Sequence, residues 1–363
     1  MHNNGNISIF ETNKKGDFNM PEFNFSYKDC IREIDMLTSK YPFVSTGSIG
    51  NSVLGKSIPY IRLGVGPKEV FFSGSYHASE WITSPVLLKF AHNFCEAYSQ
   101  STCLHINYNI DQLINILRLS MLNSSNPADI DIHSISAEHK NILMPIIKNI
   151  FNTTSIYIVP LVNPDGVNLS TNSMNLSIPS EFEAYNNAMY IAKSFPEISF
   201  SQEWKANILG TDLNLQFPAN WNEAKRIKYS LGYTKPAPKN FVGYGPLTAP
   251  ESLAIYNFTL AHDFKLILAY HTQGETIYWQ YQNYLPQNSY YIGEQFSKVS
   301  NYVLESTPYD SSFAGYKDWF IEYYNRPGYT IECGLGTSPL PVTQFNDIYN
   351  KNFGIFVLAT ILS

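Results

Sequence analysis

Five short apolar runs, each bounded by glycine, proline or a polar turn, recur along this chain with helix-compatible stretches between them. They are SIPYIRLGVG (57–66), EVFFSG (69–74), SIYIVPLV (155–162), KLILAYH (265–271) and GYTIEC (328–333). Runs of this length, rich in Val, Ile, Phe and Tyr, read as strands. The stretches YKDCIREIDMLTSKYP (27–42) and SPVLLKFAHNFCEAY (84–98) instead space their apolar residues at helical intervals, and Pro42 ends the first. Strands alternating with helices predict an α/β fold with a largely parallel or mixed sheet covered by helices. At 363 residues the chain is long for one domain but within the range of single α/β domains. Two segments rich in turn formers, SMLNSSNPADIDIHS (120–134) and GYTKPAPKNFVGYGPLTAP (232–250), read as loops or insertions and not as linkers between separate cores.

Composition narrows the function classes. Hydrophobic residues make up 44% and charged residues 15%, which describes a folded globular chain. The net charge is -6, and arginine occurs only at positions 32, 62, 118, 226 and 326. No basic stripe faces a phosphate backbone, so nucleic acid is not expected as a partner. The apolar runs ILMPIIKNIF (142–151) and FGIFVLATILS (353–363) are about half the roughly 20 residues a membrane helix needs, so no membrane partner is expected either. The opening MHNNGNISIFETNKKGDFNM is polar and lacks the apolar segment of a secretory signal, so residues 1–24 read as a tail and the protein as cytoplasmic. Cys30, Cys95, Cys103 and Cys333 form no C-x-x-C pair, and they read as small buried residues.

The chemistry concentrates at the ends of the predicted strands. In FFSGSYHASEW, His77 and Glu80 follow the run EVFFSG, and ligands in open α/β sheets bind beyond the carboxyl ends of strands. The H-x-x-E spacing alone is equally compatible with an exposed polar turn. His271 closes the run KLILAYH, as a strand-capping histidine or as a third ligand. Two histidines and one carboxylate are the protein part of a catalytic zinc site. Glu332 lies inside the otherwise apolar GYTIEC, where a carboxylate is costly unless paired or working. It is either an ion-pair partner, Arg326 being the nearest candidate in sequence, or a general base on a metal-activated water.

These residues carry a resemblance. The segments HASEW, IYIVPLVNPDGV, WKANILGTDLNLQFPANW, PLTAPE, HTQGETIYW, AGYKDWFI and RPGYTIECGLG occur in the order found in the zinc metallocarboxypeptidase superfamily. The chain resembles in particular its γ-D-glutamyl-meso-diaminopimelate peptidase I branch, which cuts peptidoglycan stem peptides. The likeness runs from about Phe25 to the C-terminus and weakens at 118–150, which reads as an insertion in a catalytic domain spanning 25–363. It implies one zinc ion held by His77, Glu80 and His271, with Glu332 as catalytic base. It implies further a single α/β domain with a mixed, twisted sheet flanked by helices, in which Asp212 holds the first zinc histidine and Asn214 binds substrate; Lys205, in the same segment, is a candidate substrate-binding residue, and the NPDG at 163–166 reads as a structural turn. The implied activity is hydrolysis of the γ-D-glutamyl–diaminopimelate bond in a muropeptide or peptide substrate. A cytoplasmic enzyme of this kind would meet recycled or precursor peptides and not the wall itself; a sporulation-related compartment is the other location left open.

The chain departs from the pattern at two arginines. Leu215 stands where exopeptidase relatives carry the arginine that grips a terminal carboxylate, which points away from ordinary carboxypeptidase cleavage. Leu209 is read at the position of an arginine that polarises the scissile carbonyl. Loss of that group keeps open a second class, a zinc-retaining pseudoenzyme that binds cell-wall peptides without cutting them. Lys205 could supply the positive charge or could be a solvated lysine. Ile321 is read at the place of a mobile tyrosine, with Tyr323 or Tyr324 as substitutes or as packing residues. A serine hydrolase or a nucleotide-binding enzyme fits poorly, since there is no G-x-S-x-G and the G-V-G at 64–66 runs into a strand.

Overall fold

The computed structural model describes residues 18, 20–101, 110–122 and 137–363. Among the described residues eight strands form one mixed sheet: β1 (Ser45–Asn51), β2 (Ser57–Leu63), β3 (Lys68–Gly74), β4 (Thr154–Val159), β5 (Phe264–His271), β6 (Thr276–Tyr278), β7 (Val303–Glu305) and β8 (Gly328–Glu332). Their order across the sheet is β1-β2-β4-β3-β5-β8-β6-β7. The four central strands β4, β3, β5 and β8 run parallel, while β1, β2 and β6 join antiparallel to their inner neighbours. All five predicted strands are present. The three that the sequence reading passed over, β1, β6 and β7, are polar or very short, because a strand towards a sheet edge needs only one apolar face or none.

The central strands bury both faces, and their alternate residues feed two cores. Val70 and Phe72, with Leu266, Leu268 and Tyr270, pack to one side. Phe71, Ile267 and Ala269 pack to the other. On the first side lie α1 (Tyr27–Lys40), α2 (Thr83–Gln100), α3 (Ile110–Leu122), α4 (Ala137–Thr153), α9 (Ser289–Ser300) and α11 (Phe345–Leu362); α7 (Trp221–Ser230), α8 (Pro250–Leu260) and α10 (Tyr316–Tyr324) cover the second. The short α5 (Pro164–Ser170) and α6 (Pro179–Ala192) pack around Trp204 in a smaller cluster. Local chemistry sets the helix starts. Ser26 and Asp29 cap α1 reciprocally, and Pro164, Pro179 and Pro250 occupy the first turns of their helices, where the missing N–H costs nothing.

The NPDG segment is the start of α5 and not a free turn. Asn163 accepts a hydrogen bond from Gly166 N, and its amide donates to the carbonyls of Tyr76 and Ala206. It thereby ties the loop after β3 to the segment that carries Lys205. Residues 1–17 and 19 of the expected tail, Cys103, and residues 123–136 of the expected insertion lie outside the described residues. Cys30, Cys95 and Cys333 are free and buried. Among the described residues no helix is long and apolar enough to cross a membrane.

Candidate metal centre and cleft

Three neighbouring parallel strands, β3, β5 and β8, end at one point of the sheet. His271 and Glu332 are the last residues of β5 and β8 and sit opposite each other in register. Beyond Gly74, the chain turns at Ser75, whose φ of 53° lies in the left-handed region, a strained choice for serine. Thr83 Oγ1 steadies the turn by accepting a hydrogen bond from Ser75 N at 2.8 Å. His77 follows, and the single 3₁₀ turn Ala78–Glu80 brings Glu80 back beneath it.

The donor atoms converge. His77 Nδ1 is 2.9 Å from Glu80 Oε1, His271 Nδ1 is 3.0 Å from Glu80 Oε2, and the two Nδ1 atoms are 3.3 Å apart. One donor atom from each of the three residues lies within 4.8 Å of the other two. Two ring nitrogens so close, both turned to one buried carboxylate, suit a shared cation, and two imidazoles with a carboxylate are a zinc donor set. The donors therefore fit the ion. Asp212 Oδ1 meets the far nitrogen of His77 at 3.0 Å, the outer contact that fixes a ligating ring's tautomer and orientation. Among the described residues His271 Nε2 has no hydrogen-bond partner; its ring instead stacks on Tyr76 at 5.5 Å.

The electrostatics call for positive charge. Burial opposes a charged His77, but Glu80 and Asp212 outweigh it and hold the imidazole up at about 10. Burial also opposes the charged carboxylates, yet His77 and Lys205 keep Glu80 well below the usual range, and His77 first among several partners brings Asp212 down to about 2. Glu332 goes the other way. Burial first and the Glu80 charge second push its carboxyl up to about 8, with Lys205 and His77 pulling against them. A divalent ion held beside it would act in the same sense as those cations.

A cleft of about 370 Å³ opens over these groups. It is lined by His77, His271, Glu332, Asp212, Asn214 and Lys205, so the structure brings the sequence-predicted site residues together; Glu80 lies directly beneath them, buried. Lys205 is held there by its backbone. Ala78 N and Ser79 N donate to the carbonyls of Lys205 and Trp204, and Lys205 N donates to Pro238 O. Its ammonium lies 2.7 Å from Glu80 Oε1. Lys205 is therefore ion-paired in the cleft wall, with 30% of its side chain exposed. Asn214 is partly committed, because its Oδ1 accepts from Tyr316 N.

Three expectations need correction. Leu209 is 48% exposed and does not line the cleft; the cation this segment contributes is Lys205. Ile321 is fully buried in the core under the sheet, and neither Tyr323 nor Tyr324 lines the cleft. The phenol that does is Tyr278, on β6. Arg326 pairs with Asp263 at 2.7 Å, so it does not neutralise Glu332. Sequence reasoning also passed over Lys228, Lys239 and the buried pair Lys317–Asp318, all in the cleft wall. They lie on α7, in the 232–250 loop and on α10, far in sequence from any ligand, and only the fold brings them to it.

The fold and this site define a zinc-dependent peptidase. The zinc carboxypeptidase profile matches residues 30–127 and 144–354, and the chain belongs to that family. It is 38% identical over 339 residues, 93% of this chain and 73% of the relative, to γ-D-glutamyl-L-diamino acid endopeptidase 1 of Lysinibacillus sphaericus. It is 36% identical over 328 residues, 89% of this chain and 74% of the relative, to the protein YqgT of Bacillus subtilis. Among solved structures it resembles thrombin-activatable fibrinolysis inhibitor (TM-score 0.60, 14% identity, 93% of this chain and 73% of that one). It also resembles carboxypeptidase A of Helicoverpa armigera (TM-score 0.56, 18% identity, 93% and 74%). These likenesses show the fold, an α/β sheet of the zinc carboxypeptidases.

Proposed function

We propose that this metallopeptidase hydrolyses the γ-D-glutamyl–diaminopimelate bond of peptidoglycan stem peptides. The observation that carries the reading is Leu215: it lines the cleft beside Asn214, so the position that grips a terminal carboxylate in exopeptidase relatives offers no charge. An enzyme without that grip is suited to a bond it does not recognise by a chain end. The endopeptidase name of the 38% identical relative supports the same specificity. Residues 25–363 are taken as the catalytic domain, with 1–24 as a tail and 118–150 as an insertion, in a protein that works in the cytoplasm.

His77, Glu80 and His271 would hold zinc, which as a Lewis acid activates water and polarises a carbonyl. Glu332, half-buried at the end of β8 and lining the cleft, would take a proton from the attacking water and pass it to the leaving amine. Lys205 would face the oxygen on which charge develops, and Asp212 would keep the His77 ring in place. The alternative of binding without cleavage rested on Leu209, which lies outside the cleft and leaves that alternative without its ground.

The test is incubation of zinc-loaded protein with L-alanyl-γ-D-glutamyl-meso-diaminopimelate and mass spectrometry of the products. Release of free diaminopimelate is expected. Glu332→Gln should retain zinc and lose activity by about a hundredfold or more. Intact peptide after prolonged incubation with the zinc-loaded parent would overturn the reading, and a fully active Glu332→Gln would remove Glu332 from the mechanism.

A further inference from the structure

Four lysines line the cleft: Lys205, Lys228, Lys239 and Lys317. Two are matched by carboxylates, Lys205 by Glu80 at 2.7 Å and Lys317 by Asp318 at 2.6 Å. The other two are not. Lys228 is 8% exposed, and its Nζ donates only to a backbone carbonyl, that of Asp310, at 3.0 Å. Lys239 is half-buried in the loop before Asn240, and among the described residues no carboxylate pairs with either lysine. Of the cleft's carboxyl groups, Glu332 pairs with none of the four lysines among the described residues, and the others are engaged elsewhere. Asp212 is taken by His77 and by the backbone N–H groups of Asn214 and Asn240, Asp318 by Lys317, Glu80 by the histidines and Lys205. A buried ammonium answered only by a carbonyl dipole keeps most of its desolvation cost. That cost is offset when an anion enters.

We infer that Lys228 and Lys239 form an anion subsite that binds a carboxylate of the substrate's diamino acid residue, the half released on cleavage. They share the cleft with Leu215 and supply, from α7 and the 232–250 loop, the positive charge that position 215 lacks. This inference rests on the peptidase reading above for the identity of the anion. It goes further in naming the residues that select it. Ammonium groups on flexible stems bind a carboxylate as point charges, without the fixed fork of an arginine. The subsite therefore accepts a carboxylate on a side-chain centre as well as one at a chain end.

The experiment is calorimetric binding of L-alanyl-γ-D-glutamyl-meso-diaminopimelate to zinc-loaded Glu332→Gln protein, which separates binding from turnover. Lys239→Gln and Lys228→Met in that background should each weaken binding about five- to tenfold, with Lys228→Arg recovering most of the loss. The same peptide with both diaminopimelate carboxylates amidated should bind more weakly and be indifferent to the lysine substitutions. Lys239→Gln alters a half-buried side chain without a carboxylate partner, so it reports on the subsite even if Lys228→Met fails to fold. Affinity unchanged within twofold in Lys239→Gln, or an equal loss for free and amidated peptide, overturns the subsite. Failure of the parent to release diaminopimelate while lysine-dependent binding persists removes the hydrolysis reading and leaves the subsite standing.

Discussion

Lys205 Nζ stands 2.7 Å from Glu80 Oε1, the carboxylate on which both histidines converge, in a chain whose neighbouring Leu209 points away from the cleft. Burial works against the lysine's charge, but Glu80 foremost, then Glu332 and Asp212, hold its pKa above the ordinary value. It stays an ammonium at every working pH. An ammonium pinned by backbone bonds at the cleft wall can stabilise an oxyanion without reorganising, and loss of one such donor typically costs about a hundred- to a thousandfold in rate. Lys205→Met should therefore lower kcat by that factor with little change in KM, and Lys205→Arg should restore part of it. Leu209→Arg, on exposed surface, should leave kcat/KM within about twofold of the parent. A large gain in Leu209→Arg would show that the missing group belongs there.

Asp212 does more than cap the turn that follows it. One oxygen receives His77 Nε2 at 3.0 Å, and the other accepts from Asn240 N at 3.0 Å, so the carboxylate joins a zinc ligand to the loop carrying Lys239. Outer contacts of this kind typically contribute about ten- to a hundredfold to metal affinity. Asp212→Asn should weaken zinc binding by that factor in competition with a chromophoric chelator. Glu332→Gln, which does not touch a ligand ring, should bind zinc as the parent does. Equal zinc affinities for parent and Asp212→Asn would reduce Asp212 to a structural cap.

Glu251 is a fully buried acid outside the cleft lining. It accepts hydrogen bonds from Val53 N and Asn207 Nδ2, and Asn207 in turn orders the backbone from Leu209 to Thr211. Burial raises its carboxyl from 4.5 to about 7 against the pull of those hydrogen bonds. Between these values the folded chain keeps a proton that the unfolded chain has released. Its contribution to stability is therefore fully present below about pH 4.5 and is lost as pH rises to about 7, by roughly 3 kcal/mol in all. Glu251→Gln should remove that slope, whatever it does to overall stability. Unfolding midpoints of parent and variant, compared at pH 5 and pH 8, check it: a constant difference would show that Glu251 does not titrate in this range.

Much of the centre was legible along the chain because each ligand sits at a strand end, where an apolar run stops at a histidine or carries a glutamate. His77, Glu80, His271 and Glu332 could be read in that way from local pattern joined to the family's motif order. The five buried strands were legible for the same reason, since a strand covered on both faces must be apolar along its length. The strands β1, β6 and β7 were not, because their polar or three-residue sequences take strand form only through pairing with a neighbour.

The amino-acid order thus carried the α/β architecture, the metal donors and the place of Glu332, all of which depend on short-range pattern. Folding in three dimensions settled the rest of the cleft. It turned Leu209 outward and Lys205 inward, buried Ile321 in the core, brought Tyr278 to the cleft and, among the described residues, left Lys228 and Lys239 without a carboxylate. A lysine that pairs, one that is solvated and one that waits for an anion look alike in sequence. What separates them is the set of groups that long-range packing places within a few ångströms, and with it the cost of leaving a buried charge unanswered.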